Sequence, residues 1–130
     1  MRKIRQRGQE TLQAMLVVAF MLLPVLFGIV ELGGVIHIWM GQQSAAAMGA
    51  RIAGERGQDD AIVRDRIAAE LRTAGLDPGQ IQTSITPPSV RWGQPITVKL
   101  VSRRRIAIPF LFSREVTLIS SYVGRGEVNH

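Results

Sequence analysis

An apolar run near the N-terminus constrains this chain of 130 residues more than any other feature. From Leu12 to Met40 the only strongly polar side chains are Gln13, Glu31 and His37. A helix of about 20 apolar residues is long enough to cross the hydrocarbon core of a bilayer. The run is longer than this, so we predict one membrane-spanning helix, placed at residues 9–40.

The free energy of insertion supports a membrane helix. Eleven Leu, Ile, Phe or Val residues lie between Ala14 and Val30. Together they contribute about −3 to −7 kcal/mol towards insertion. A carboxylate such as Glu31 costs about 3 kcal/mol at the bilayer centre and less near an interface. Insertion is therefore favourable even with this acid in the helix.

The charges at the two ends of the run predict its orientation. Four basic residues precede it: Arg2, Lys3, Arg5 and Arg7. Residues 41–50, on the other side, contain no Lys or Arg. The positive-inside rule places the N-terminus in the cytoplasm and the C-terminal part outside. A secretory signal peptide is the alternative, but its apolar region would be shorter and closely followed by a cleavage site.

Small residues follow the apolar run at helical spacing. Gly41, Ala45, Gly49 and Ala53 recur every four residues, and Ala46, Ala50 and Gly54 form a second row. Such rows make a flat helix face that another backbone can approach closely. We predict that the membrane helix continues outward. The face is expected to pack on a second subunit, on the chain's own sheet, or on both.

The remainder predicts one further helix and a sheet. Val63, Ile67 and Leu71 repeat at four-residue spacing within a helix predicted at Asp59–Thr73. Alternating patterns then predict strands at Ile81–Ile85, Ile96–Leu100 and Val116–Val123. Pro109 is expected to confine the apolar segment Ile106–Phe112 to an edge or a loop. The predicted fold is α+β, with a long N-terminal helix, a second helix and three or four antiparallel strands.

Arg103, Arg104 and Arg105 are the most concentrated charge in a chain of net charge +6. We interpret them as a solvated turn between strands. The alternative is a contact for an acidic subunit, anionic lipid or DNA. No aromatic pattern accompanies the arginines, so nucleic acid is not an expected partner.

No catalytic or metal-binding pattern is apparent. The chain has no cysteine, and its two histidines, His37 and His130, have no cluster of ligating residues around them in the sequence. There is no glycine-rich phosphate loop and no serine with a plausible histidine partner. We expect neither an enzyme, nor a cofactor or metal, nor a small-molecule substrate.

Several short motifs occur together in a fixed order. Arg7-Gly8-Gln9 follows the basic residues, Phe27–Gly33 ends the densest apolar stretch, and Ala50-Arg51 lies in the Ala-rich helix. The C-terminal half adds Ile96-Thr97-Val98, a Pro109-Phe110 loop and Arg125-Gly126-Glu127. In this combination the chain resembles the TadE-like family of pilin-related proteins.

The resemblance implies a role in a Tad-type (type IVc) pilus. Residues 1–8 would be a leader that a prepilin peptidase removes after Gly8, leaving Gln9 as the new N-terminus. The chain would start in the bacterial cytoplasmic membrane with residues 41–130 outside, and its helix would then enter a filament that supports adherence. The implied partners are membrane lipid, the peptidase, the inner-membrane assembly platform and other pilin or TadE-like subunits.

One residue departs from the family pattern. Pilins of this type carry Glu at the fifth mature position, which here is Gln13. A carboxylate there can neutralise the N-terminal amine of a neighbouring subunit in an apolar core, whereas an amide can only hydrogen-bond it. The departure predicts a minor subunit (pseudopilin) at the tip or in initiation. Glu31 is interpreted as an interfacial acid or as the partner of a basic group on an adjacent helix.

Two other functions remain open. The chain could be an uncleaved, membrane-anchored pilus assembly or secretion factor. It could also be a membrane-tethered binding module for an anionic partner. The mature N-terminus separates the first function from these two.

Overall fold

Helix α1 dominates the structure. The computed structural model describes residues 2–129, with side chains from Arg5 onward, so Met1 of the predicted leader and His130 of the predicted outer domain lie outside the described residues. Helix α1 runs without a break from Arg2 to Arg56. It is the one described helix long and apolar enough to cross a membrane. The predicted continuation of this helix beyond residue 40 is confirmed.

Helix α2 spans Ala61–Thr73, two residues shorter than predicted. Asp60 caps it, because its carboxylate accepts a hydrogen bond from the Val63 N–H at 3.0 Å. This bond, together with Arg56, lowers the pKa of Asp60 below its usual value. The predicted apolar stripe is confirmed, since Val63, Ile67 and Leu71 are all buried.

Three antiparallel strands form the sheet. After a 3₁₀ turn at Pro78–Gln80 come β1 (Ile81–Thr86), β2 (Pro95–Ile108) and β3 (Phe112–Arg125), in the spatial order β1-β2-β3. In the register, Leu100 lies between Thr83 of β1 and Ser120 of β3. The predicted α+β class is confirmed, with three strands.

Two local predictions about the sheet are corrected. Arg103, Arg104 and Arg105 are not a turn, because they lie within β2 and pair with Thr117, Val116 and Glu115 of β3. The segment Ile106–Phe112 is divided, since its first three residues extend β2 and the turn follows at Pro109–Leu111. The proline sits where no ladder N–H is needed, and Phe110 takes a positive φ of 68°.

The core lies between the outer part of α1, helix α2 and the sheet. A Cβ at Gly49 would come within 2.6 Å of the Ile67 side chain, and a Cβ at Gly124 would overlap the carbonyl oxygen of Ala50. The absence of a side chain at Gly49 makes room for Ile67, whereas the backbone-to-backbone contact of Gly124 with Ala50 requires small residues on both sides. The other main contributors to the core are Ala45, Ala46, Ala53, Val63, Leu71, Ile85, Ile96, Val98 and Leu100.

We predict that Gly124→Ala destabilises the outer domain by about 2–3 kcal/mol, because the added methyl forces β3 away from α1. Pulse proteolysis of the full chain in mild detergent, across a urea series, measures the change. Gly33→Ala is the matched control, because a Cβ there meets nothing within 4 Å. Equal stability of the two variants would contradict the close contact between β3 and α1.

Candidate functional site

The first part of α1, up to Leu23, is exposed along its described side chains. Every side chain from Arg5 to Leu23 is exposed, including Gln13 at the predicted fifth mature position. Gly8 and Gln9 lie on this exposed stretch, and a Cβ at Gly8 would meet nothing within 4 Å. The predicted processing site and Gln13 are therefore on a helical surface that is open to a second protein.

A stripe of half-buried residues begins farther along α1. Its members are Pro24, Gly28, Glu31, Gly34, Val35 and Ile38. The spacing of four and three residues keeps them on one side of the helix. Their neighbours Ile29, Val30 and Leu32 are exposed. Something in the chain therefore covers one flank of the apolar segment.

The far end of the β2–β3 hairpin covers this flank of α1. Strand β1 ends its pairing with β2 at Ser102, and beyond this point β2 pairs with β3 alone. We call residues 103–117, which include the turn, the hairpin arm. The arm runs back along α1, away from the outer domain.

Three contacts fix the position of the arm. The Arg104 guanidinium lies over Gly34, with Nη2 2.6 Å from where a Cβ would stand. The Ile108 side chain lies 3.7 Å from the equivalent point at Gly28. The Phe110 ring contacts the Phe20 ring with centroids 5.9 Å apart. Glycines on the stripe allow the arm to lie close to the helix.

Glu31 faces the arm. It lies on the half-buried stripe, three residues before Gly34 and its contact with Arg104. The basic residue that the structure brings to this part of α1 therefore comes from the chain's own hairpin. Pairing of Glu31 with a base on an adjacent helix stays a prediction.

The three consecutive arginines do not form one patch. Residues alternate between the faces of a strand, so Arg103 and Arg105 are exposed on the outer face while Arg104 is half-buried towards α1. The Arg105 Nε–H donates to the Ser113 hydroxyl at 2.8 Å across the hairpin. The predicted contact of Arg103, Arg104 and Arg105 with an acidic partner stays a prediction.

The small-residue rows are buried within the chain. Gly41, Ala45, Gly49 and Ala53 all lie in the interior, as do Ala46, Ala50 and Gly54 of the second row. They pack on α2 and on the sheet, as the prediction of contact with the chain's own sheet requires. Their use in contact between subunits stays a prediction.

Gln42 joins α1 to the sheet, a role that the sequence analysis did not identify. It is fully buried. Its amide nitrogen donates to the carbonyl oxygens of Leu100 and Leu118 at 2.8 and 3.0 Å, and its Oε1 accepts from the Ser102 hydroxyl at 2.6 Å. All three partners lie on β2 and β3, just before the arm begins. A signal existed, since Gln42 continues the spacing of Val35 and Ile38 into the core.

Ligating side chains are not clustered. Within residues 2–129, no group of three His, Cys, Asp or Glu residues could hold a metal ion. The notable geometry is therefore that of a packing surface, formed by α1 and the hairpin arm.

Comparison with known families bears on the first part of the chain. Residues 8–51 match the family model described as TadE-like protein. The predicted resemblance is confirmed. This TadE-like segment begins at Gly8 and covers most of α1, but neither α2 nor the sheet. No curated protein and no solved structure matches the chain.

The TadE-like segment covers 44 of the 130 residues, about a third of the chain. The long apolar α1 indicates membrane anchoring. Over this segment the chain is similar to TadE-like proteins, and the same helix is long and apolar enough to cross a membrane.

We predict that Gln42→Leu destabilises the outer domain by about 3 kcal/mol, because two carbonyl oxygens and one hydroxyl lose their partner in a dry interior. Urea-dependent pulse proteolysis of the full chain measures the loss. Gln43→Leu, at a partly exposed neighbouring position, is the control and should change little. A similar loss in both variants would mean that the hydrogen bonds of Gln42 are unimportant.

Proposed function

We propose that the chain is a minor pilin, or pseudopilin, of a Tad-type pilus. The observation that carries this proposal is the TadE-like match, which starts at Gly8 and follows a helix whose side chains are exposed from Arg5 to Leu23. An exposed apolar helix with a folded domain at one end suits a subunit that moves from a bilayer into a helical filament. In both environments the surroundings cover the part of the helix from Arg5 to Leu23, which the chain itself leaves exposed.

The proposal includes a membrane-bound precursor. The N-terminus lies in the cytoplasm and residues 41–130 lie outside the bacterial cytoplasmic membrane. A prepilin peptidase removes residues 1–8 and frees the amine of Gln9. The exposed stretch of α1 supports this step, because nothing in the described chain packs on Gly8.

We further propose that contacts with neighbouring subunits use the exposed part of α1. The small-residue rows are already occupied by the chain's own domain, whereas Arg5–Leu23 is free of packing apart from the ring contact of Phe20. The partners are other pilin or TadE-like subunits and the inner-membrane assembly platform.

The position in the filament follows from Gln13. Its amide is exposed and can hydrogen-bond the amine of an adjacent subunit, but it brings no negative charge. Recruitment by neutralisation of a buried amine is then lost, so the subunit does not add repeatedly along a shaft. We propose that it sits at the tip or initiates assembly, and that it supports adherence from there.

The first test is cleavage. We predict that the mature protein begins at Gln9 and that Gly8→Val keeps the leader, because a branched side chain replaces the residue after which the peptidase cuts. Mass spectrometry of the membrane fraction gives the N-terminus. Gly33→Val, at a position equally free of contacts within 4 Å, is the control and should be cut normally.

An intact N-terminus in the wild-type chain would overturn the proposed pilin. It would favour the uncleaved assembly factor, or the tethered module for an anionic partner. Co-purification with the assembly platform would then separate those two functions.

The second test concerns position. We predict that Gln13→Glu raises the number of copies per filament several-fold and spreads them along the shaft, because the carboxylate restores neutralisation of the neighbouring amine. Immunogold labelling of sheared pili measures both quantities. Gln6→Glu, within the leader that is removed, is the control. Unchanged copy number and position in the Gln13→Glu strain would contradict the proposed role of Gln13.

A further inference from the structure

The hairpin arm occupies a flank of α1 that lipid would cover if this helix crossed a bilayer. Its contacts with α1 extend from Gly34 to Phe20, a length of about 21 Å along a helix axis. The hydrocarbon core of a bilayer is about 30 Å thick. A span that begins near Leu12 therefore has most of the arm-covered stretch inside the hydrocarbon.

The arm itself is unsuited to hydrocarbon. It carries five charged residues: Arg103, Arg104, Arg105, Arg114 and Glu115. Within the described sheet its two strands pair only with each other, so each has an outer edge of backbone N–H and C=O groups without a strand partner. Open sheet edges of this kind do not face lipid, because nothing there can hydrogen-bond them.

The arm also has an apolar surface, for which contact with a helix is more favourable than exposure to water. Ile106 and Ile108 are half-buried towards α1, while Phe110, Leu111 and Phe112 form an apolar tip. Charges are confined to the base of the arm, and the eight residues from 106 to 113 carry none. The apolar end of the arm thus lies along the apolar part of α1, and its charged base lies near the outer end of that part.

We propose that the arm and the bilayer alternate as the cover of this flank of α1. When lipid surrounds the helix, the arm is displaced from it. When the helix leaves the membrane, the arm packs on the stripe from Pro24 to Ile38, as in this structure. The inner face of the arm is then an interaction surface whose partner is the extracted helix of the same chain.

This inference rests on the proposed transfer of α1 from membrane to filament and adds the surface that replaces lipid. It also gives Glu31 a place in each state. In the membrane the carboxylate lies near the outer interface. Outside the membrane it lies on the stripe beneath the arm, three residues before Gly34, where Arg104 contacts α1.

A cross-link that holds the arm closed tests the proposal. The chain has no cysteine, so Gly28→Cys combined with Ile108→Cys gives a unique thiol pair at a point of close approach. The full-length double variant is refolded from denaturant without lipid, oxidised, and added to vesicles of phosphatidylethanolamine and phosphatidylglycerol, with and without reductant. Flotation after carbonate extraction measures how much chain is inserted.

We expect the oxidised chain to insert several-fold less than the reduced chain, because the disulfide holds a charged hairpin against the helix. Ile29→Cys combined with Ile108→Cys is the control. Ile29 is the next residue and is 63% exposed, about 100° around the helix. This pair should oxidise slowly and insert equally with and without reductant. Equal oxidation of the two pairs, or full insertion of the locked chain, would overturn the proposal.

A second measurement reads the position of the arm in the inserted chain. A fluorophore on Leu111→Cys should be quenched by aqueous iodide or by a quencher at the headgroups, because the arm is displaced. Quenching from the bilayer centre would show that the arm stays beside α1 and would overturn the proposal. Neither measurement requires a pilus, so failure of cleavage at Gly8 and failure of the arm to move are distinguishable results.

Discussion

An uninterrupted helix that serves two environments is the constraint on which this structure depends. Helix α1 passes from large apolar residues, exposed on most sides, to glycines and alanines that are buried in a folded domain. In the first part the chain itself covers only one flank of the helix, through the hairpin arm, and in the second α2 and the sheet bury it. The change occurs within a few residues around Gly41 and Gln42, without a break in the backbone.

At this junction Gln42 makes hydrogen bonds to β2 and β3 that an apolar residue could not make. Just beyond its position the two strands leave the three-stranded sheet, and its amide nitrogen donates to one carbonyl oxygen of each strand. Buried carbonyl groups left without a donor cost about 1–3 kcal/mol each. By contrast, a single arginine of the arm would cost about 3 kcal/mol at the centre of a bilayer. The second value favours a hairpin whose charged base stays out of hydrocarbon.

Much of the architecture could be predicted from periodicity. The apolar run, the four-residue spacing of Val63, Ile67 and Leu71, and the alternation around Val98 each record which side of an element meets the core. The length of β2 could not be predicted, because three arginines and a proline resemble a turn locally. They form a strand because β3 satisfies their backbone, a contact between residues distant in sequence. The arm could not be predicted for the same reason, since its partners on α1 lie 70 to 90 residues earlier.

The continuity of α1 also sets an angular relation between membrane and domain. Each residue of an α-helix turns the next side chain by about 100°. The stripe beneath the arm and the buried face of the domain share one side of α1 only because the spacing through Val35, Ile38, Gln42 and Ala45 stays in phase. A residue inserted or lost between Gly34 and Gly41 would leave both halves intact, yet rotate one against the other by more than a quarter turn. In such a chain the length of the connecting helix, more than its composition, determines which neighbour the domain faces.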